Sequence, residues 1–290
     1  MSASSNERII VTIEGGVADV RLNRPDKMNA LDQEMFDALI ETGEQLARTP
    51  DLRAVVLSGE GRAFCAGLDM GRMAGMLSGD GGSSESDSIG GGRLGKRIHG
   101  ISNRPQYACM VWRELPVPVF AAVHGVAFGG GLQVALGADV RYVAPDTKLS
   151  VMEMKWGLVP DMAGMVLTRG LVRPDVLREL VYSARVLSGT EACELGLATY
   201  VADDPRAAAL EAARQVAQKN PDAIRAAKRL MAVVERGDNA AILQAESDEQ
   251  DRLVGSPNQR EAVLANMEKR APRFDPPSAQ RWRRRRHHLA

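Results

Sequence analysis

From Ala121 to Tyr142 the chain reads AAVHGVAFGGGLQVALGADVRY: a β-rich run, three glycines, a helix-forming run and a second β-rich run. This order constrains the fold most, because strands that alternate with helices imply an α/β architecture with a parallel sheet. The alternation extends in both directions. Ile9–Ile13 and Val17–Leu22 are β-rich, and Glu14-Gly15-Gly16 between them predicts a hairpin. Asn29–Pro50 predicts an amphipathic helix with Met35, Leu39 and Ile40 on one face and Asp32 as its cap. LRAVVLSGEG, PVPVFAAVHG, VRYVA and KLSVME read as strands, and LQVALGA as a helix after the glycines. From about Asp204 the chain turns to helices rich in alanine, glutamate and arginine. The expectation is an α/β core over residues 1–203 and a helical region over 204–290, with no internal sequence repeat.

Composition narrows the classes. The chain has 290 residues, 44% hydrophobic and 26% charged, as an ordinary globular protein does. Its formal net charge is zero, so nothing steers it to nucleic acid or to an anionic membrane. It has no apolar run of roughly 18 residues, the length a membrane helix needs. MSASSNERII lacks the basic-then-apolar layout of a signal peptide. Cys65, Cys109 and Cys193 are widely spaced without a CxxC, which argues against disulfides and for a reducing, cytoplasmic setting. Two of the four histidines lie at the chain end, so a zinc site is not expected. Residues 78–92, SGDGGSSESDSIGGG, read as a disordered loop or as a lid over a site. The basic end, RWRRRRHHLA, reads as a solvated tail or as a contact for a phosphate or a partner.

Glycines between a strand and a helix expose backbone N–H groups where the helix dipole favours negative charge. Gly129-Gly130-Gly131 therefore suits a phosphate or an oxyanion, or else only a tight turn. The spacing is neither GxGxxG nor a GK[ST] loop. GRAFCAGLDM, residues 61–70, also ends a strand in a small-residue bend and offers the N–H of Leu68. Two such donors from separate loops make an oxyanion hole, which stabilises an enolate beside a thioester carbonyl.

RLNRPDKMNALD, RAVVLSGEGRAFCAGLDM, PVFAAVHGVAFGGG, ADVRY, GLVPDMAG and SGTEACELGLA, in that order, resemble the crotonase (enoyl-CoA hydratase/isomerase) superfamily over roughly residues 8–270. The resemblance implies a spiral of ββα turns with a helical C-terminal region used in forming trimers or dimers of trimers. It implies an acyl-CoA substrate, with coenzyme A part of that substrate and no metal or redox cofactor. It implies oxyanion donors at Leu68 and Gly130, and coenzyme A contacts at Lys27, Ala30, Ala66, Gly67, Asp69 and Met70.

The acid/base groups distinguish members of the superfamily. Hydratases similar to this chain carry one glutamate at the position of Gln133 and another at Glu153, and the pair activates a water. Glutamine cannot exchange a proton at neutral pH, which argues against efficient hydration. Asp161 stands where most hydratases have glycine; with Glu153 and the long insert, it resembles the Δ3,5-Δ2,4-dienoyl-CoA isomerases. Those usually carry aspartate at the position of Gln133. The expected reaction is a double-bond shift by proton transfer between Glu153 and Asp161. Hydration by Glu153 alone and acyl-CoA binding without catalysis are the alternatives. Asp161 also reads as a helix N-cap after Pro160, and Gln133 as a residue that only fixes a carboxylate or water by hydrogen bonding. Burial among Val151, Met152, Met154 and Trp156 should raise the pKa of Glu153, read here as part of a strand. His124 reads as structural, Trp156 as core or pocket wall, and Cys65 as packing. Lys228 reads as a ligand for a coenzyme A phosphate or as a solvated lysine.

Overall fold

The structure, a computed structural model, describes residues 4–6, 8–77 and 94–277, with side chains over 8–74 and 94–277. The segment 78–92 and the basic end 281–290 lie outside the described residues.

Strands β1 (Ser4–Asn6), β2 (Ile9–Glu14) and β3 (Val17–Leu22) form an antiparallel meander. The expected hairpin is present, and Gly15 and Gly16, both at positive φ, make its turn. Four ββα turns then follow. In each, one strand enters a large sheet, a second extended segment enters a smaller ladder, and a helix or helical turn closes the unit. The first runs from β3 through Leu31 to α1 (Gln33–Arg48). Asp32 caps α1 as expected, accepting from the Met35 N–H at 2.9 Å. The second runs from β4 (Ala54–Gly59) through Cys65–Leu68 to α2 (Met70–Leu77), and α3 (Arg104–Arg113) follows. The third comprises β5 (Val119–Val123), β6 (Val126–Phe128) and α4 (Gly130–Leu136). The fourth comprises β7 (Val140–Val143), β8 (Lys148–Ser150), a 3₁₀ turn over Met152–Trp156 and α5 (Gly164–Leu167). KLSVME is thus a strand only in its first half, and Glu153 lies on the 3₁₀ turn rather than on a strand. Helices α6 (Pro174–Ser183) and α7 (Gly189–Glu194) lead to β9 (Tyr200–Val201). Helices α8 (Pro205–Ala217), α9 (Pro221–Val234), α10 (Asn239–Leu253) and α11 (Pro257–Met267) end the described chain.

The large sheet has the order β1-β2-β3-β4-β5-β7-β9, parallel from β3 onward. Both faces are covered, as parallel sheets require. The period of two sorts the side chains. Val55 and Leu57 of β4, with Val119, Ala121 and Val123 of β5, join the main core with Met35 and Leu39 of α1 and Trp112 of α3. Their neighbours Ala54, Val56, Phe120 and Ala122 face the other way and meet Ala209 and Ala213 of α8. The first helix after Asp204 thus packs directly on the sheet.

The smaller ladder fixes the site. Leu31 pairs with Leu68, Cys65 with Ala127, and β6 with β8, all in parallel. Parallel strands end together, so loops far apart in sequence emerge side by side.

Lys228 of α9 is neither solvated nor near the glycine loops. Its Nζ donates to Asp139 Oδ2 at 2.7 Å and to the Val117 carbonyl at 2.8 Å, with 12% of the side chain exposed. Burial lowers its pKa, opposed by Asp139. Lys228→Met should therefore destabilise the protein by about 2 kcal/mol, because the half-buried Asp139 and the Val117 carbonyl lose a charged donor while Asp139 keeps only the Val119 N–H and Arg113. Urea unfolding checks this, and an unchanged midpoint would contradict it.

Candidate active site

The β6–β8 pair carries Gly129 and the Met152–Trp156 turn at the same end, and the Gly129 N–H donates to the Ser150 carbonyl at 3.0 Å. Gly129 has φ 49° and ψ −119°, a conformation open to glycine. A Cβ on it would stand 3.3 Å from Oε1 of Glu153, so the carboxylate lies directly against this loop. Gly130 and Gly131 form the first turn of α4 rather than preceding it. A Cβ on Gly130 would come within 2.8 Å of the Met162 sulfur, and one on Gly131 would collide with the Cys65 carbonyl. The three glycines allow three close approaches in one place.

Gly67, at φ 90°, brings the second loop to the same point: a Cβ on it would lie 3.8 Å from the Gly130 nitrogen. The Ala66 N–H, the Gly67 carbonyl and the Asp69 N–H bond to Met28 and Leu31. The Gly67–Leu68 peptide is trans, so the Leu68 N–H points opposite to the Gly67 carbonyl and away from that side. Among the described residues neither the Leu68 nor the Gly130 N–H has an acceptor. These are two unused donors on adjoining loops.

Glu153 is buried, with 8% of its surface exposed. Its Oε1 accepts from Gln133 Nε2 at 2.6 Å, while its Oε2 is buried without a partner. The carbonyl oxygen of Gln133 accepts from the N–H groups of Met162 at 2.9 Å and Gly164 at 2.8 Å. Asp161 immediately precedes Met162. It caps no helix, since α5 begins at Gly164 with Ala163 at its N-cap. Desolvation raises the pKa of Glu153, and the nearby Asp161 charge adds to it against the hydrogen bond from Gln133. Burial also raises the pKa of Asp161. An apolar crevice beside Gln133 is lined by Leu132, Leu136, Val151, Met165 and Leu177.

The residues expected at coenzyme A lie on two segments, 27–31 and 66–70, that are joined by backbone hydrogen bonds. Lys27 and Met70 are exposed, Met70 by 62%; Ala30 and Gly67 are buried, and Ala66 is half-buried between them. The Ala66 N–H donates to the Met28 carbonyl and the Leu31 N–H to the Gly67 carbonyl. The Asp69 carboxylate is already engaged, accepting from Arg24 Nη1 at 2.7 Å and the Gly71 N–H at 2.8 Å. Sequence reasoning missed Asn29, a fully buried amide that bonds the Glu60 and Ala63 carbonyls and the Arg24 N–H. The available signal was asparagine itself in a loop before a helix, since it tolerates the left-handed backbone that Asn29 adopts at φ 55°.

Cys65 bonds the Asn29 carbonyl, and burial pushes its thiol up to about 12, so it is packing. His124 bonds the Gly61 carbonyl at 2.9 Å. Trp156 is 46% exposed and lies outside the core. Among the described residues no cluster of three His, Cys, Asp or Glu side chains could hold a metal ion, and no helix is long and apolar enough to cross a membrane.

Two free peptide N–H groups on adjoining loops and a buried, half-unpaired carboxylate are together suited to proton chemistry next to a carbonyl. The enoyl-CoA hydratase/isomerase family profile matches residues 17–286, and the chain belongs to that family. Its fold is the crotonase fold, and membership implies an acyl-CoA substrate. The chain is 32% identical to the mitochondrial Δ(3,5)-Δ(2,4)-dienoyl-CoA isomerase of Homo sapiens over 76% of its own length and 66% of that relative's. It is 33% identical to 1,2-epoxyphenylacetyl-CoA isomerase of Escherichia coli, covering 92% of this chain and 98% of the relative. The crystal structure of an enoyl-CoA hydratase from Bacillus anthracis superposes with a TM-score of 0.81 at 27% identity, covering 92% of this chain and 98% of that one.

Because burial raises the pKa of Glu153, its ionisation opposes folding. Its stabilising contribution is complete below the unfolded-state pKa and is lost as pH rises through the folded value. Glu153→Gln should therefore melt higher than the parent at about pH 7, with the gap closing at about pH 4. Melting curves at both pH values test this, and a lower melting point at neutral pH would contradict it.

Proposed function

We propose that the chain is an acyl-CoA isomerase that shifts double bonds by proton transfer, with a dienoyl-CoA thioester as the favoured substrate. The thioester oxygen accepts from the N–H groups of Leu68 and Gly130. Glu153 Oε2 takes a proton from the carbon beside the carbonyl, and the electron pair spreads into the trienolate held by those donors. Asp161, in its protonated form, delivers a proton to the distal carbon. Net transfer is from the near carbon to the far one, and the two carboxyls return to their starting states by passing a proton back. Coenzyme A runs along Lys27, Ala30, Ala66, Gly67, Asp69 and Met70, with Asp69 acting through Arg24 to shape that surface.

The observation that carries this reading is the buried, unpartnered Oε2 of Glu153, with a second carboxyl, the half-buried Asp161, on the adjoining loop. Two acids desolvated together suit opposite protonation states. Formation of a homotrimer, or of a dimer of trimers, accompanies this reading, and exposed Met231, Leu243 and Met267 on the C-terminal helices suit subunit contacts. A cytoplasmic setting suits three unpaired thiols.

The purified protein is incubated separately with a 3,5-dienoyl-CoA and a 2-enoyl-CoA, followed by absorbance and mass. The expected result is a change in conjugation without a change in mass on the dienoyl ester. Gain of one water on the enoyl ester alone would instead establish a hydratase using Glu153. Glu153→Gln should lower kcat by about 10²–10⁴-fold while coenzyme A affinity survives. Unchanged turnover would remove Glu153 as the base, and binding without any turnover in the parent would indicate a non-catalytic binder.

A further inference from the structure

Gln133 makes three hydrogen bonds to two other pieces of chain, the turn that carries Glu153 and the 160–164 loop. Its carbonyl oxygen takes the N–H groups of Met162 and Gly164, and its amine donates to Glu153 Oε1. Two backbone donors at one end settle which end of the amide is oxygen, so the amine must face Glu153. Gly164 permits this approach, since a Cβ there would lie 2.7 Å from the Gln133 oxygen. Three consequences follow from the same amide. One oxygen of Glu153 is occupied and the other is left bare. The loop bearing Asp161 hangs on Gln133 through the residue next to it. Both lone pairs of the Gln133 carbonyl are used, so a water in the site finds no acceptor there.

We propose that Gln133 is a positioning residue that selects Oε2 of Glu153 as the reacting oxygen, ties the Asp161 loop to it, and biases the site toward proton transfer over water addition. The proposal rests on the reading of Glu153 as the base. An amide serves here where a carboxyl would not. A glutamate at 133 would set a second acid at the 2.6 Å now spanned by the hydrogen bond, and the two would share one proton.

The test compares the parent with Gln133→Met, which keeps the bulk and loses all three bonds, and with Gln133→Glu. The infrared carboxyl band of Glu153, identified by its loss in Glu153→Gln, is titrated without substrate. In Gln133→Met the band should titrate at higher pH than in the parent, because the carboxylate loses a donor. Its kcat on the dienoyl ester should fall by about 10–100-fold while KM stays within about threefold. In Gln133→Glu the carboxyl signal should titrate in two separated steps. Water addition to the 2-enoyl ester, relative to isomerisation, should rise by about tenfold or more. A Gln133→Met protein that melts like the parent, with band and kcat both unmoved, would overturn the proposal. So would a Gln133→Glu protein with a single-step titration and the parent's product ratio. The band is read without turnover, so an unmoved band removes the clamp, whereas unchanged turnover in Glu153→Gln removes the base.

Discussion

Two three-residue strands, β6 and β8, run parallel in register from Val126↔Lys148 to Phe128↔Ser150, and their shared end sets the geometry of the site. One strand delivers Gly129 and the N-terminus of α4; the other delivers the turn that carries Glu153. The same ladder continues to Cys65 through Ala127, which brings the Leu68 loop to the Gly130 nitrogen. Without this pairing the two free N–H groups and the carboxylate would belong to unrelated loops. The larger sheet supplies rigidity. Its central strands are buried on both faces, and the ladder hangs from the ends of those strands.

Much of this was legible in the sequence because it follows from local chemistry. The Gly15-Gly16 turn, the Asp32 cap and the alternation along β4 and β5 each depend on residues within a few positions of one another. Glu153, Gln133 and Asp161 were recognisable as residue types at informative positions. What stayed hidden was long-range or too short to have a period. The ladder members Leu31, Cys65 and Leu68 are isolated bridges that leave no alternating pattern. The ββα unit recurs in space without recurring in side chains. The strand expected through Glu153 stops at Ser150, because the chain must turn there to bring the acid over Gly129. Lys228 looked like a surface lysine on an amphipathic helix, and only the packing of α9 against the Val117–Asp139 corner reveals its partner.

The site combines stabilising and destabilising terms. Gln133 satisfies its own carbonyl twice and half of Glu153, yet one oxygen of that glutamate remains buried and unpaired. An unpaired buried charge opposes folding, and such groups persist where chemistry uses them. The crotonase fold tolerates it because α4, the 3₁₀ turn and the 160–164 loop are joined around it by one amide. In the proposed reaction this incompletely solvated carboxylate is the base.

In the proposed reaction Glu153 removes a proton beside the thioester carbonyl while the peptide N–H groups of Leu68 and Gly130 hold the resulting negative charge. The most direct test is solvent exchange in heavy water with Asp161→Asn, which blocks delivery of a proton to the distal carbon and leaves Glu153 in place. Deuterium should enter the carbon next to the thioester of a 3,5-dienoyl-CoA while the double bonds stay where they are. Recovery of the ester without label, under conditions where the parent isomerises it, would contradict the assignment of the base.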